Sequence, residues 1–263
     1  MQDIQQSDQS RSSGQDSAGV NYFASQVVSL LAERSSRSTT EPLEILVTGL
    51  IRASQSGTKE AFAELLNEMR KSRVSVAALA DIYIPLAARR MGEAWHEDEM
   101  SWLEVSIGVG RLQSLLREIG TAWAADQAGD AGHGTILMII PDREQHTLGP
   151  MVAMGQMRRY GVSVCLRIAP NLEELRGLIT SRAFDGIMIS VATVDKLESV
   201  RKTVKFIKSV SPKLTPVIVG GAVMSKIEDV LSCTGADFSS NDIGAALEVI
   251  GLKFDSFCIL KRA

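Results

Sequence analysis

The chain has 263 residues, of which 45% are hydrophobic and 22% charged, and its formal net charge is -3. At about 100–200 residues per domain, this length allows one large domain or two ordinary ones. The apolar fraction can supply a sizeable core. The mild negative charge argues against a protein that holds nucleic acid through its own overall positive field. The 3 cysteines are too few and too scattered for a disulfide framework or a thiolate metal site.

The sequence pattern contains neither a membrane span nor an export signal. No apolar run approaches the roughly 20 residues needed to cross a bilayer. The first residues, MQDIQQSDQSRSSGQDSAG, have neither the basic start nor the apolar centre of a signal peptide. We therefore expect a soluble, cytoplasmic protein without a membrane partner.

The first half of the chain has a helical pattern after a polar tail. Residues 1–20 are mostly Gln, Ser, Asp and Gly with almost nothing to bury, which predicts a disordered tail. From residue 21 to residue 125, apolar residues recur at helical spacing, which predicts a bundle of helices joined by short loops. Four apolar repeats begin at Leu43, Phe62, Leu79 and Val105. Thr58 should begin the second helix of these four, and Pro85 should kink the third.

The second half of the chain alternates between two patterns. It follows a polar, glycine-rich linker, Ala124–Gly134. Through residues 135–263, five short apolar runs alternate with amphipathic segments, among them a helix near Met224–Ser232. This alternation predicts a parallel sheet covered on both faces, a doubly wound, flavodoxin-like α/β domain of the Rossmann-like type. Ligands of such a domain bind at the carboxyl ends of the strands, so functional residues are expected in the loops after these runs.

The loop after the first run carries side chains suited to hold a ligand. It runs from Glu144 through Gln145, His146 and Thr147 to Gly149. His146 can offer a neutral imidazole nitrogen to a metal while its other nitrogen bonds a carboxylate, for which Glu144 is the candidate. Gly149 would let the backbone pass close to a bulky planar ligand. Taken alone, this histidine would be interpreted as a solvated loop residue.

Small and polar residues at two other strand ends strengthen this prediction. The third run ends in Ser190 and Val191, followed by Thr193, and the fourth run ends in Gly220-Gly221. A Gly-Gly pair after a strand is common in turns and is weak evidence alone. All three loops belong to one edge of the predicted sheet, so together they indicate a ligand site more specifically than any one of them does.

These residues resemble the pattern of a known fold. The run Glu144-x-His146-x-x-Gly149, then Ser190, then Gly220-Gly221, resembles the cobalamin-binding fold of corrinoid-dependent methyltransferases and mutases. The resemblance implies that His146 replaces the benzimidazole of cobalamin as the lower axial ligand. It also implies that Ser190 and the glycine pair line a slot for the detached nucleotide tail. Two positions depart from the pattern, because Glu144 stands for the usual Asp and Ala192 for the usual Leu.

Two of the three tryptophans, Trp95 and Trp102, fall close together between the third and fourth helical repeats. Buried in a helical hairpin, they would be ordinary core residues. A bundle before a cobalamin-binding fold also resembles the cap that covers the upper face of the corrin, which implies that both tryptophans and Glu104 contact the cofactor. In related light-sensing regulators, a Glu-His pair follows the tryptophan and supplies the upper ligand. The corresponding positions here are Val105 and Ser106, so that histidine is missing.

Two segments are similar to those of the AerR/PpaA-type antirepressors of photosynthesis genes. The first runs from Trp95 to Gln113 and the second from Glu144 to Pro150. The resemblance, which covers about residues 40–250, implies a cobalamin-responsive regulator that binds a repressor of the CrtJ/PpsR type and loosens its hold on DNA. The hypothesis is that light changes the upper ligand of the cobalt. We expect no enzymatic activity.

Two other functions remain open at the level of the sequence. A neighbouring branch of the same fold binds haem, and His146 could ligate either metal, so a haem-binding redox sensor is one alternative. A corrinoid protein that carries methyl groups between methyltransferases is the other. Direct DNA binding is not expected, because no helix-turn-helix with a basic recognition helix is evident and the net charge is negative.

Overall fold

The computed structural model describes residues 42–126, 134–211 and 214–252. The predicted disordered tail, the beginning of the predicted bundle and most of the predicted linker lie outside these ranges. The described residues from Glu44 onward belong to one compact unit. Within it a helical part precedes a five-stranded parallel sheet, which confirms the predicted fold class.

Four helices make up most of the first part. Helix α1 spans Glu44–Ser56, α2 spans Lys59–Lys71, α3 spans Ile84–His96 and α4 spans Trp102–Asp126. Thr58 caps α2 as predicted, because its hydroxyl accepts a hydrogen bond from the backbone N–H of Ala61. In the described ranges, no helix combines the length and the apolarity that crossing a membrane requires.

A π-helical turn lies directly before Pro85, the residue at which the sequence predicts a kink. Residues Val76–Ala78 are α-helical, and a π turn over Leu79–Tyr83 follows them directly before α3. Proline has no N–H to donate to the carbonyl four residues earlier, and its ring crowds that carbonyl. The wider π turn accommodates this conflict without ending the helical stretch.

The second part is a parallel sheet with the strand order β2-β1-β3-β4-β5. Strand β1 spans Thr135–Ile140, β2 spans Ser163–Ile168, β3 spans Gly186–Ser190, β4 spans Val217–Gly220 and β5 spans Phe238–Ser239. The central strands β1 and β3 pair in register, with Met138 opposite Met188. This is the flavodoxin-like order, in which ligands bind where the order reverses, beyond the carboxyl ends of β1 and β3.

One helix follows each strand, and one prediction among them is wrong. Helix α5 spans Leu148–Arg159, α6 spans Leu172–Ser181, α7 spans Leu197–Val210, α8 spans Val230–Thr234 and α9 spans Ile243–Val249. The helix predicted near Met224–Ser232 is replaced by a 3-10 turn, Ala222–Ser225, and the later start of α8. Helix α8 starts late because the Asp229 carboxylate accepts a hydrogen bond from the N–H of Ser232 and caps the helix there.

Helix α5 contributes to two separate cores. Its residues Leu148 and Val152 pack in the core of the bundle, which also contains Leu112 of α4. Met157, further along the same helix, packs in a core against the sheet with Ile136 of β1. Burying an apolar side chain of this size stabilises the fold by about 1.5–3 kcal/mol. The bundle is therefore held on the sheet at α5, which directly follows residues 141–147, the loop that carries His146 and is called the histidine loop below.

Candidate functional site

The loop between β1 and α5 pairs a buried carboxylate with an exposed imidazole. Glu144 Oε1 lies 2.7 Å from His146 Nδ1 and 2.9 Å from the backbone N of His146. Glu144 Oε2 lies 3.0 Å from the backbone N of Ala192, which follows β3. Only 2% of the Glu144 side chain is exposed, against 65% of the His146 side chain. The structure brings Glu144 and His146 together as predicted, and it adds a hydrogen bond from the backbone of Ala192 to the same carboxylate.

These hydrogen bonds determine the charge state of Glu144. Burial raises the pKa of its carboxyl, but the donors on His146 and Ala192 outweigh burial and hold that pKa below its ordinary value. An ionised carboxylate only accepts hydrogen bonds, so the proton of a neutral His146 ring lies on Nδ1. The lone pair on Nε2 is then available to a metal.

The variant Glu144→Gln should be less stable at neutral pH, and this difference should shrink in acid. The folded-state pKa of Glu144 lies below its unfolded value, so its contribution is complete above the unfolded pKa and is lost as the pH falls through the folded pKa. We expect a loss of roughly 1.5–3 kcal/mol near neutral pH, because glutamine cannot accept from all three donors. Urea unfolding from about pH 7 down to about pH 3 measures the difference.

A matched variant separates this effect from a general loss of charge. Asp142→Asn removes an exposed carboxylate from the same loop and should leave the free energy of unfolding within about 0.5 kcal/mol of the parent at every pH. A stability difference between Glu144→Gln and the parent that stays constant with pH would contradict the assignment of an ionised, hydrogen-bonded Glu144.

The Gly220-Gly221 pair is fitted against the backbone of two neighbouring loops. A Cβ on Gly220 would lie 2.6 Å from the carbonyl oxygen of Ser240. A Cβ on Gly221 would lie 2.9 Å from both N and C of Val191, and closer still to its carbonyl oxygen. Gly221 also has φ +114°, which favours glycine. The close approach of the loops after β3, β4 and β5 therefore requires both glycines.

Two residues of this region had no signal in the sequence pattern. Asn241 Oδ1 accepts a hydrogen bond from the N–H of Gly221 at 2.6 Å, and Asn241 Nδ2 donates to the carbonyl of Gly221 at 3.3 Å. Lys226 Nζ donates to the carbonyl of Ala192 at 3.3 Å. Asparagine and lysine outside a motif are common surface residues, and only the pairing of the strands brings these two to the site.

The residues that follow β3 lie between the histidine loop and the glycine pair. Ser190 is half-buried and lies opposite Gly220 in register, whereas Val191 is fully buried. The hydroxyl of Thr193 bonds the carboxylate of Asp195 and lowers the pKa of that group. Thr193 is therefore already engaged by the turn that leads into α7.

The remaining residues of the histidine loop lead into α5. Gln145 is exposed, and its carbonyl accepts a hydrogen bond from the N–H of Thr147 at 3.0 Å. The hydroxyl of Thr147 accepts a hydrogen bond from Nε2 of Gln113 on α4 at 3.0 Å. Gly149 lies in the first turn of α5, and a Cβ there would find no atom of the described residues within 4 Å. This side of the helix has room for a ligand.

The two tryptophans of the predicted cap are exposed. Trp95, at the end of α3, is 43% exposed, and Trp102, at the start of α4, is 62% exposed. The ring centroids of Trp95 and its neighbour His96 lie 5.0 Å apart. Both side chains therefore lie largely outside the core of the bundle. The alternative that both tryptophans are core residues of a helical hairpin is therefore wrong.

Glu104 has a structural function of its own. Its carboxylate accepts hydrogen bonds from the backbone N–H of Ser101 at 2.8 Å and from Ser101 Oγ at 2.7 Å. Ser101 Oγ accepts in turn from the N–H of Glu104 at 3.3 Å. These bonds form a capping box at the start of α4, and they lower the pKa of Glu104. The carboxylate of Glu104 is therefore already used in capping α4, and a ligand would contact it in that position.

Hydrogen bonds join the three strand ends into one site. Beside the bond from Ala192 to Glu144, the N–H of Val191 donates to the carbonyl of Gly220 at 2.8 Å, and the N–H of Val223 donates to the carbonyl of Val191 at 3.2 Å. The candidate residues of the sheet thus lie together at its carboxyl edge. The bundle meets this edge through Gln113 on α4, about three turns beyond Trp102 and the first turn that carries Glu104.

Comparisons with known proteins give a fold and a family. No protein-family model matches the chain. The Methanosarcina barkeri monomethylamine corrinoid protein has the same fold, with a TM-score of 0.61 over 78% of this chain and 94% of that chain at 13% identity. The "uncharacterized 20.5 kDa protein in bchF-crtJ intergenic region" of Rhodobacter capsulatus is 38% identical over 188 residues, which are 72% of this chain and 98% of that protein. The chain belongs to the family of this Rhodobacter capsulatus protein.

Proposed function

We propose that this protein binds cobalamin with His146 as the lower axial ligand and acts as an AerR/PpaA-type antirepressor of photosynthesis genes. The observation that carries the proposal is the pair formed by His146 and Glu144. The buried, ionised carboxylate fixes the tautomer of an exposed imidazole and leaves Nε2 available, which is how proteins prepare a histidine for a metal. This pair lies at the crevice where the strand order reverses.

The residues at this edge fit a metal held in a flat macrocycle. Such a group would need only one protein ligand, which His146 could supply, because the macrocycle itself carries the others. Gln145, Thr147 and Gly149 would surround the lower face, and Gly149 leaves room beside the first turn of α5. We assign the detached nucleotide tail to the other two strand ends, with the candidate residues Ser190, Val191, Thr193, Gly220 and Gly221.

The bundle would cover the opposite face of the macrocycle. We assign this function to the exposed Trp95 and Trp102, with Glu104 beside them. Aromatic rings stack well on flat conjugated groups, and the exposed rings need no rearrangement of the core to do so. When bound, cobalamin supplies a cobalt–carbon bond that light can break. A cap that contacts the two ligand states differently would shift between two positions, and this difference is the proposed signal.

The proposed output is a contact with another protein. The relative in the bchF-crtJ region supports a photosynthesis-gene context, and the proposed partner is a repressor of the CrtJ/PpsR type. The net charge of -3 favours a protein partner over direct contact with DNA. We propose no enzymatic reaction for this chain, because the site as assigned holds a ligand and changes a surface.

The test joins a spectrum to a binding measurement. The protein is purified with added cobalamin, its absorption spectrum is recorded, and binding to a CrtJ/PpsR-type repressor is measured in darkness and after illumination. We expect a histidine-ligated cobalamin spectrum and a difference in repressor affinity of at least about tenfold between the two conditions, which corresponds to ~1.4 kcal/mol. A Soret band from haem without added cobalamin, or equal repressor affinity in every state, contradicts the proposal.

A corrinoid methyl carrier is the second candidate, and the shared fold of the monomethylamine corrinoid protein favours it. A carrier must accept a methyl group on the metal and return it to a second methyltransferase. A sensor needs no such turnover. Multiple rounds of methyl transfer by the cobalamin-loaded protein, together with no affinity for the repressor, would favour the carrier.

A further inference from the structure

The hydroxyl of Thr147 makes an unusual contact for a residue in its position. Thr147 occupies the N-cap of α5, but its backbone is helical, with φ -93° and ψ -10°, and its side chain makes no capping hydrogen bond. Elsewhere in the described chain, side chains cap the helical starts at Thr58, Ser75, Ser101, Asn171, Asp229 and Asp242. Thr147 Oγ1 instead accepts a hydrogen bond from Nε2 of Gln113 on α4, at 3.0 Å.

This contact holds the histidine loop from the side of the bundle. His146 is adjacent to Thr147, and on its other side it is bonded to Glu144, which is bonded to Ala192 after β3. The loop is therefore tied to the sheet at one end and to α4 at the other. Apolar packing supports the second tie, because Leu148, the residue after Thr147, lies in the core of the bundle.

We propose that Gln113 is a positioning residue that sets the place of His146 through Thr147, so that the position of the bundle and metal binding by His146 are coupled in both directions. The proposal rests on the proposed function for its ligand. Coupling between two sites is reciprocal. A movement of α4 therefore changes the affinity of His146 for the metal by some factor, and metal binding shifts the equilibrium between the positions of α4 by the same factor.

The test compares two isosteric deletions and their combination. Gln113→Leu and Thr147→Val each remove one partner of the hydrogen bond at nearly constant volume, and the double variant removes both. In the protein without cobalamin, we expect hydrogen exchange at the amides of residues 145–149 to be about five to ten times faster in each single variant, because each variant loses the hydrogen bond that holds the loop to α4. The double variant should exchange no faster than the singles.

Two further variants define the control and the rescue. Thr147→Ser keeps the hydroxyl and should retain the exchange rates of the parent. Ser114 is the residue after Gln113, and its hydroxyl donates a hydrogen bond to the carbonyl of Gly110 within α4. The variant Ser114→Ala should therefore leave the exchange rates unchanged. With cobalamin present, Gln113→Leu and Thr147→Val should lower the histidine-ligated fraction in the spectrum and weaken affinity about three- to tenfold.

The outcomes separate this inference from the proposed function. Exchange rates equal to those of the parent in both single variants, or additive effects in the double variant, overturn the inference about Gln113. Faster exchange without any change in the histidine-ligated spectrum also overturns it, because the bond then only stabilises the loop. If the spectrum of the parent shows no histidine ligation, the proposed function fails, while the exchange data still show whether Gln113 positions the loop.

Discussion

In the variant His146→Ala, added cobalamin keeps the absorption spectrum that it has in free solution, and its affinity for the protein falls by at least about 10- to 100-fold. Losing the residues that merely orient a metal ligand already costs about this much, so losing the ligand itself costs no less. The fold should persist, because the His146 side chain is 65% exposed and packs in no core. Spectrophotometric titration with cobalamin measures both quantities, and circular dichroism checks the fold.

His96→Ala is the matched control for this experiment. His96 is exposed at the end of α3, next to Trp95, and its substitution should leave the histidine-ligated spectrum in place. If His96→Ala abolishes that spectrum and His146→Ala preserves it, the lower ligand has been assigned to the wrong histidine. If neither substitution changes the spectrum, His146 is not the lower ligand.

Gly221→Ala should lower the free energy of unfolding by about 3 kcal/mol or more. A Cβ at this position meets the backbone of Val191, which cannot rotate away as a side chain could. The backbone also has φ +114°, which adds strain of order 1–3 kcal/mol for any residue with a side chain. Urea denaturation followed by circular dichroism measures the loss without any ligand.

Gly177→Ala is the control that tests whether the loss of stability in Gly221→Ala comes from the local contacts of Gly221 and not from replacing a glycine in general. Gly177 lies in α6, and a Cβ there would find no described atom within 4 Å. Because alanine is the better helix former, this variant should gain up to about 1 kcal/mol. Equal stability changes in the two variants would show that the contact with Val191 does not decide the need for glycine.

The sheet and its site could be predicted because their determinants are local in sequence. Each buried strand is a continuous apolar run, and each glycine or histidine signal follows such a run directly. The spacing of Glu144 and His146 puts a carboxylate within reach of an imidazole in any compact loop. By contrast, the contact of Gln113 with Thr147 joins residues 34 positions apart. Only the packing of α4 on the histidine loop creates it, so no local pattern could have indicated it.

Other features could not be predicted because two interactions compete for the same residue, and a sequence pattern does not show which of them is the stronger. Trp95 and Trp102 fitted a core and a ligand surface equally well, and only their exposure in the structure separated the two. Glu104 was placed beside the cofactor by resemblance, but its carboxylate also forms the capping box with Ser101. The start of α8 was misplaced because Asp229, and not the apolar pattern, decides where that helix begins.

Helix α5 packs in both the bundle core and the sheet core, and this limits how the bundle of this protein can be exchanged for another. Leu148 and Val152 complete the core of the bundle although they follow the first strand of the sheet. If a foreign bundle were joined to the sheet at the linker, those two side chains would lose the bundle residues that they pack against, such as Leu112. The histidine loop and the first turns of α5 must therefore be inherited with the bundle. An engineer who wants a new cap on this sheet has to transplant that segment as well.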